Sequence, residues 1–98
     1  MILAAAASTT PVDVPKARKD YASCLSSVTT EAIDKKQPRE EFLNTLKSKC
    51  GDKETAFRGA LIASNKADGM NDADSKQDAE DQVAEYVDKM TRDFDSAK

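Results

Sequence analysis

The stretch CLSSVTTEAIDKKQPREEFLNTLKSKC, residues 24–50, contains both cysteines of the chain and decides its fold. At its centre two lysines, which suit the end of a helix, precede a proline, which suits the first turn of the next one. Cys24 and Cys50 lie at equal distances from Gln37, so two antiparallel helices that turn there bring the cysteines to the same level. The stretch therefore predicts a helical hairpin with a disulfide bond between its arms.

Two other interpretations of the cysteines stay open, a pair of buried free thiols and a redox pair. A reactive thiol needs exposure and a nearby positive charge, and Lys47, Lys49 and Lys53 do lie close to Cys50 in the sequence. The apolar stripe that includes Cys50 argues against such exposure. A zinc site is not expected, because two cysteines without histidine leave the metal short of ligands. A disulfide closing this loop stabilises the fold by about 3–4 kcal/mol.

Apolar residues recur at helical spacing in three segments, which predicts helices at about 13–36, 38–67 and 73–95. Asp13 is a good N-cap for the first, and Pro38 opens the second. Gly51 interrupts the second segment without shifting its stripe, so one helix is expected there, and a bend near the glycine is left open. The segment KADGMNDADS, with Gly69 as a terminator, is expected to be the second loop.

These segments predict an all-α fold, a three-helix up-down-up bundle. Its 98 residues include few glycines and no tryptophan, and 34% of them are charged, which suits one helical domain over residues 13–98. Counting along antiparallel helices also aligns the stripes of the second and third segments, for example Leu46 with Phe94. Short loops then leave a bundle of neighbouring antiparallel helices as the expected topology.

Residues 1–12 are expected to be a flexible, disordered tail outside the domain. They begin with MILAAAAS, which resembles the end of a secretory signal peptide with small residues at Ala5 and Ala7. An ordinary alanine-rich tail is the alternative. Together with the predicted disulfide, the signal-like start favours a periplasmic or secreted location, reached by bacterial export.

Charge is distributed unevenly along the chain. Residues 1–67 carry 11 lysines and arginines against 8 aspartates and glutamates, whereas residues 68–98 carry 4 against 10. The acidic last third argues against nucleic acid and against anionic membranes as partners. We expect it to pack beside the basic helices, with an acidic docking surface as the alternative. On its outer face Glu85 precedes Lys89, and Asp88 precedes Arg92, each at the favourable i,i+4 spacing.

No catalytic function is predicted. The chain has no histidine, which removes the commonest general base and metal ligand, and it contains none of the usual nucleophile or phosphate-binding motifs. The acidic segment DGMNDADSKQDAED departs from the calcium-loop pattern at three places when that pattern is started at Asp72. We therefore expect no cofactor and no metal.

The most apolar stretch, FRGALIAS at residues 57–64, lies where the second helix could extend beyond the first. Core packing against the third helix is one interpretation. The other is a partner patch formed by Phe57, Leu61 and Ile62, since small domains seldom expose such patches without use. The sequence thus favours a non-enzymatic interaction module that binds an unidentified protein, as a monomer or weak homodimer without membrane insertion. Alternatives are a redox or small-ligand role using Cys24 and Cys50 or a core pocket, and a stress or holdase-like role.

Overall fold

The computed structural model of the protein describes residues 13–97, and those residues form three α-helices. Helix α1 spans Val14–Asp34, α2 spans Arg39–Ala67 and α3 spans Asp72–Ser96. Each helix contacts the other two, and short turns join antiparallel neighbours. The described part of the chain is therefore the predicted up-down-up bundle. The predicted tail at residues 1–12 falls outside the residues that the structure describes.

Side-chain caps begin the first and third helices. The Asp13 carboxylate accepts a hydrogen bond from the Lys16 amide at 2.9 Å, and Asn71 accepts one from the Asp74 amide at 2.8 Å. Such caps satisfy backbone donors that a helix start leaves free. Helix α2 follows Pro38, which makes no side-chain cap, and runs through Gly51 as a single helix.

Both turns use the same backbone arrangement, although only one of them contains a glycine. After α1, the Gln37 amide donates to the Ala32 carbonyl at 2.9 Å, and the Lys36 amide donates to the Ile33 carbonyl at 3.1 Å. After α2, the Met70 and Gly69 amides make the equivalent pair of bonds. This is the Schellman motif, whose central residue takes a positive φ. That residue is Gly69, with φ of 98°, in the second turn but Lys36, with φ of 54°, in the first.

All five aromatic side chains of the protein lie in or against the core. Tyr21 of α1, Phe57 of α2 and Tyr86 of α3 form one cluster, with ring centroids 5.5–5.8 Å apart. Towards the first turn, Phe42 stacks on Phe94 with centroids 4.3 Å apart. The core is completed by the following buried aliphatic residues and cysteine: Leu25, Val28, Ala32, Leu46, Cys50, Leu61, Ala79, Val83 and Met90. Each helix contributes rings and aliphatic side chains, so the three apolar stripes share one core.

Candidate interaction surfaces

The disulfide predicted from the sequence joins α1 to α2. Cys24 and Cys50 are bonded, with their Cα atoms 5.8 Å apart. Cys50 is 1% exposed within the core, whereas Cys24 is partly buried at the surface of the hairpin. The bond therefore links the middle of one arm to the middle of the other and fixes their relative level.

The surroundings of the two sulfurs differ in a way that bears on chemistry. Cys24 borders an open groove between α1 and α2 that Lys49 and Lys53 also line. An incoming thiolate would meet Cys24 first and would have to expel the sulfur of Cys50. Burial of Cys50 among apolar side chains disfavours the thiolate that would leave. This arrangement suits a structural bond better than rapid exchange.

The structure buries two of the three residues of the predicted partner patch. Phe57 is 0% exposed and Leu61 is 4% exposed, so neither side chain is available to a partner. The alternative of an exposed end depended on α2 extending beyond α1. Helix α3 runs beside the same part of α2, and Ile62, which is only partly buried, accepts a hydrogen bond from the Ser75 hydroxyl at its carbonyl. The core interpretation of this stretch is the correct one for Phe57 and Leu61.

The surface of the described residues is mainly polar. Among the described residues, Met70 in the second turn is the one large hydrophobic side chain that is exposed, at 39%. Apolar contact area is therefore confined to grooves between helices, where hydrophobic side chains are partly covered. No helix among residues 13–97 is long and apolar enough to cross a membrane.

An open groove between α2 and α3 has apolar side chains at its base. Leu43 of α2 and Val87 of α3 line it, and both are partly buried. Gly51 also lines the groove. The remaining lining residues are polar at the rim and apolar at the base: Tyr21, Leu25, Glu40, Asn44, Leu46, Lys47 and Glu54. The groove thus combines an apolar base with charged edges, a common pattern at protein interfaces.

Gly51 is not required by the packing of this bundle. A Cβ atom built at this position would meet nothing within 4 Å. A glycine within a helix costs about 1 kcal/mol relative to alanine, and here no neighbouring side chain explains it. Gly59 is equally open but lies on the exposed surface of α2. Of the two, only Gly51 lines this groove, where the absence of a Cβ atom leaves the α2 backbone uncovered.

A polar chain runs from the edge of this groove across all three helices. The Tyr21 hydroxyl donates to Glu54 at 3.1 Å, the second oxygen of Glu54 accepts from Arg58 at 3.1 Å, and Arg58 also binds Glu80. Burial raises the pKa of Tyr21 well above its ordinary value, and the nearby Glu54 carboxylate raises it further. The hydroxyl therefore stays protonated and continues to donate, which holds this edge of the groove in place.

The acidic residues near the second turn serve as caps and in ion pairs. Asp72 pairs with Lys66 at 3.3 Å and with Lys76 at 3.1 Å, and these lysines lower the pKa of its carboxyl group. Within residues 13–97, no three side chains of the metal-binding types come together. Elsewhere on α3, Glu80 pairs with Arg58 of α2, and Asp95 pairs with Arg39 of α2. The acidic last third therefore does pack beside basic partners at these points.

Sequence reasoning identified the disulfide but not the α2–α3 groove. Leu43 and Val87 belonged to apolar stripes, which do not distinguish a covered position from a partly open one. The one feature of the sequence that could have indicated the groove is Gly51, a glycine that interrupts a helix without ending it. Comparison with models of known protein families, with curated proteins and with solved structures finds no match to this chain.

Proposed function

We propose that this protein is a small exported interaction module, periplasmic or secreted, that binds another protein in the α2–α3 groove and catalyses no reaction. The observation that carries the proposal is the groove itself. It has an apolar base, a glycine at position 51 that the fold does not need, and charged residues along its rim. These features favour a partner segment that inserts a large apolar side chain over Gly51.

The rest of the molecule supports this role by keeping the groove rigid. The Cys24–Cys50 bond fixes α2 relative to α1, and the Tyr21–Glu54–Arg58–Glu80 chain connects α2 to both other helices. A surface that is already ordered loses less conformational entropy on binding. The disulfide also supports export, because such bonds persist in oxidising compartments.

Site-specific cross-linking tests the proposal. A photoreactive phenylalanine replaces Asn44, an exposed residue on the groove rim, and in a matched variant it replaces Ser26, an exposed residue of α1 outside the groove. Both variants are produced in their native host and irradiated. We expect one discrete adduct from position 44 and none from position 26. Equal adducts from both positions, or none from either, would contradict a specific partner in this groove.

A redox role for Cys24 and Cys50 is the second candidate, and one observation favours it: Cys24 borders an open groove beside two lysines. Its test is the rate of reduction by a dithiol reductant under native conditions. Reduction within seconds would support exchange chemistry, whereas a bond that opens only as the protein unfolds would support a structural role. A holdase-like role has less support, because the described surface offers little exposed apolar area to unfolded chains.

A further inference from the structure

A second groove, between α1 and α3, has a different chemistry. It encloses about 470 Å³ and is lined by Arg18 from α1 and by five residues of α3. Those five are Gln82, Glu85, Tyr86, Lys89 and Arg92. Three of the six lining side chains are cations, although residues 68–98 as a whole are strongly acidic. Positive charge is thus concentrated here on an otherwise negative helix.

Among residues 13–97, two of the four arginines have no carboxylate partner, and both line this groove. Arg39 pairs with Asp95 and Arg58 pairs with Glu54 and Glu80. Arg18 and Arg92 make no ion pair with any of the described residues. The sequence spacing favoured pairs of Arg92 with Asp88 and of Lys89 with Glu85, but Lys89 pairs with Asp93 at 2.8 Å instead. The guanidinium groups of Arg18 and Arg92 therefore keep donors available for an external acceptor.

Arg18 is held in position by neutral partners. Its Nη1 donates to the Gln82 side-chain oxygen at 3.1 Å, and its guanidinium carbon lies 5.1 Å from the centre of the Phe57 ring. Gln82 is fixed in turn, since its nitrogen donates to Asp78 at 3.0 Å. A guanidinium has five N–H donors, so most of them are left over after the bond to Gln82. Its orientation is set before any ligand arrives.

Tyr86 also lines the groove and carries a further hydrogen-bond donor. Its ring is partly buried and packs edge-on against Phe57, with centroids 5.7 Å apart. Its hydroxyl makes no hydrogen bond within the described part of the chain, so it can donate to a ligand. Glu85 lines the same groove and opposes an anion there. The groove therefore combines a guanidinium held in place on α1 with donors on α3 and one unfavourable charge, which points to modest affinity.

We propose that this groove binds a phosphate or sulfate group. A tetrahedral oxyanion presents several acceptor oxygens in different directions, which matches donors from Arg18, Arg92 and Tyr86 on two helices. Arginine binds such groups through two parallel N–H donors, which a lysine cannot do. The site lies between α1 and α3 and shares no lining residue with the α2–α3 groove, so the two proposals can be tested separately. With Glu85 present, we expect a Kd of about 1–10 mM.

Titration followed by ¹H–¹⁵N NMR tests the proposal. Inorganic phosphate, sulfate and phenyl phosphate are each added at pH 7 with sodium chloride adjusted to keep ionic strength constant, because screening alone shifts many surface signals. We expect saturable shifts confined to residues near Arg18, Gln82, Tyr86 and Arg92. Tighter binding of phenyl phosphate would identify an organic ester as the ligand, and equal binding of all three would identify the free anion.

Three variants separate the site from general surface charge. Arg92→Gln changes an exposed residue and should weaken binding about tenfold. Arg18→Gln should do the same, with far-ultraviolet circular dichroism to check that the helices persist. Arg39→Gln is the matched control, since Arg39 lies outside the groove and pairs with Asp95; it should leave binding unchanged. Shifts that fail to saturate, or an equal loss in all three variants, would overturn the proposal.

Discussion

The Tyr21 hydroxyl donates a hydrogen bond to Glu54 at 3.1 Å, which joins the middle of α1 to α2 by a polar contact at the edge of an apolar core. The Tyr21 side chain is 0% exposed and its ring stacks on Phe57. A phenolate at this position would lose solvation and face a carboxylate. The stability of the bundle is therefore coupled to the protonation of a single tyrosine.

This coupling predicts a loss of stability at alkaline pH. In the unfolded chain Tyr21 loses its proton near pH 10, whereas in the folded protein its pKa is higher. Above about pH 10 the native state holds a proton that the unfolded state has lost, so the free energy of unfolding falls by at most about 1.4 kcal/mol per pH unit. Urea unfolding at pH 8, 10 and 11 measures the fall. Tyr21→Phe should remove this component, and an unchanged pH dependence in that variant would contradict it.

Removal of the disulfide should destabilise the protein strongly. The bond spans 26 positions of sequence, and loss of such a cross-link costs about 3–4 kcal/mol on the chain-entropy argument. For a domain of this size that lowers the Tm by roughly 15–25 °C. Differential scanning calorimetry of Cys24→Ala/Cys50→Ala, beside the reduced native chain, gives the value. A variant as stable as the oxidised protein would show that the bond contributes little.

The first turn should be improved by a glycine. Lys36 adopts a left-handed conformation with φ of 54°, which costs a residue with a Cβ about 1 kcal/mol. We expect Lys36→Gly to raise the free energy of unfolding by about that amount. Gly69→Ala is the reverse substitution at the equivalent position of the second turn, and it should lower the free energy of unfolding. Chemical denaturation reports both, and a loss of stability in Lys36→Gly would contradict this account of the turn.

Two glycines of α2 form a matched pair for separating stability from binding. Gly51→Ala and Gly59→Ala should each stabilise the protein by about 1 kcal/mol, because neither new methyl group meets a neighbour within 4 Å. Only the change at position 51 adds volume to the α2–α3 groove. Cross-linking from position 44 should therefore weaken in Gly51→Ala and persist in Gly59→Ala. Equal yields in the two variants would place the partner elsewhere.

Much of this fold follows from periodicity and from the symmetry of one hairpin. The equal spacing of Cys24 and Cys50 about Gln37 was enough to predict their bond. Counting placed Leu46 opposite Phe94; the structure adds that Phe94 stacks on Phe42, one turn from Leu46, a ring pair that counting does not predict. Two stacked aromatic rings gain more interaction free energy than a ring packed on leucine. Counting positions along antiparallel helices contains no information on side-chain size.

The candidate surfaces were harder to predict, because they depend on which side of each helix the third helix covers. The Tyr21 hydroxyl contacts Glu54, whereas the preceding residue of the same helix, Lys53, carries the opposite charge. Successive side chains of a helix differ in direction by about 100°. This difference places the Glu54 carboxylate, and not the Lys53 ammonium group, beside the tyrosine. The left-handed Lys36 was also missed, since lysine gives no signal for that conformation.

The position of the disulfide also determines how the bundle can come apart. The bond makes α1 and α2 a covalently closed pair, while α3 is attached through one turn and by packing and ion pairs. We therefore expect partial opening under mild denaturant to begin with detachment of α3, the helix that no covalent cross-link holds. Detachment would uncover Phe57 and Phe42 together and leave a two-helix hairpin with an exposed apolar face. The packing of α3 would then determine how often that face is exposed to other molecules.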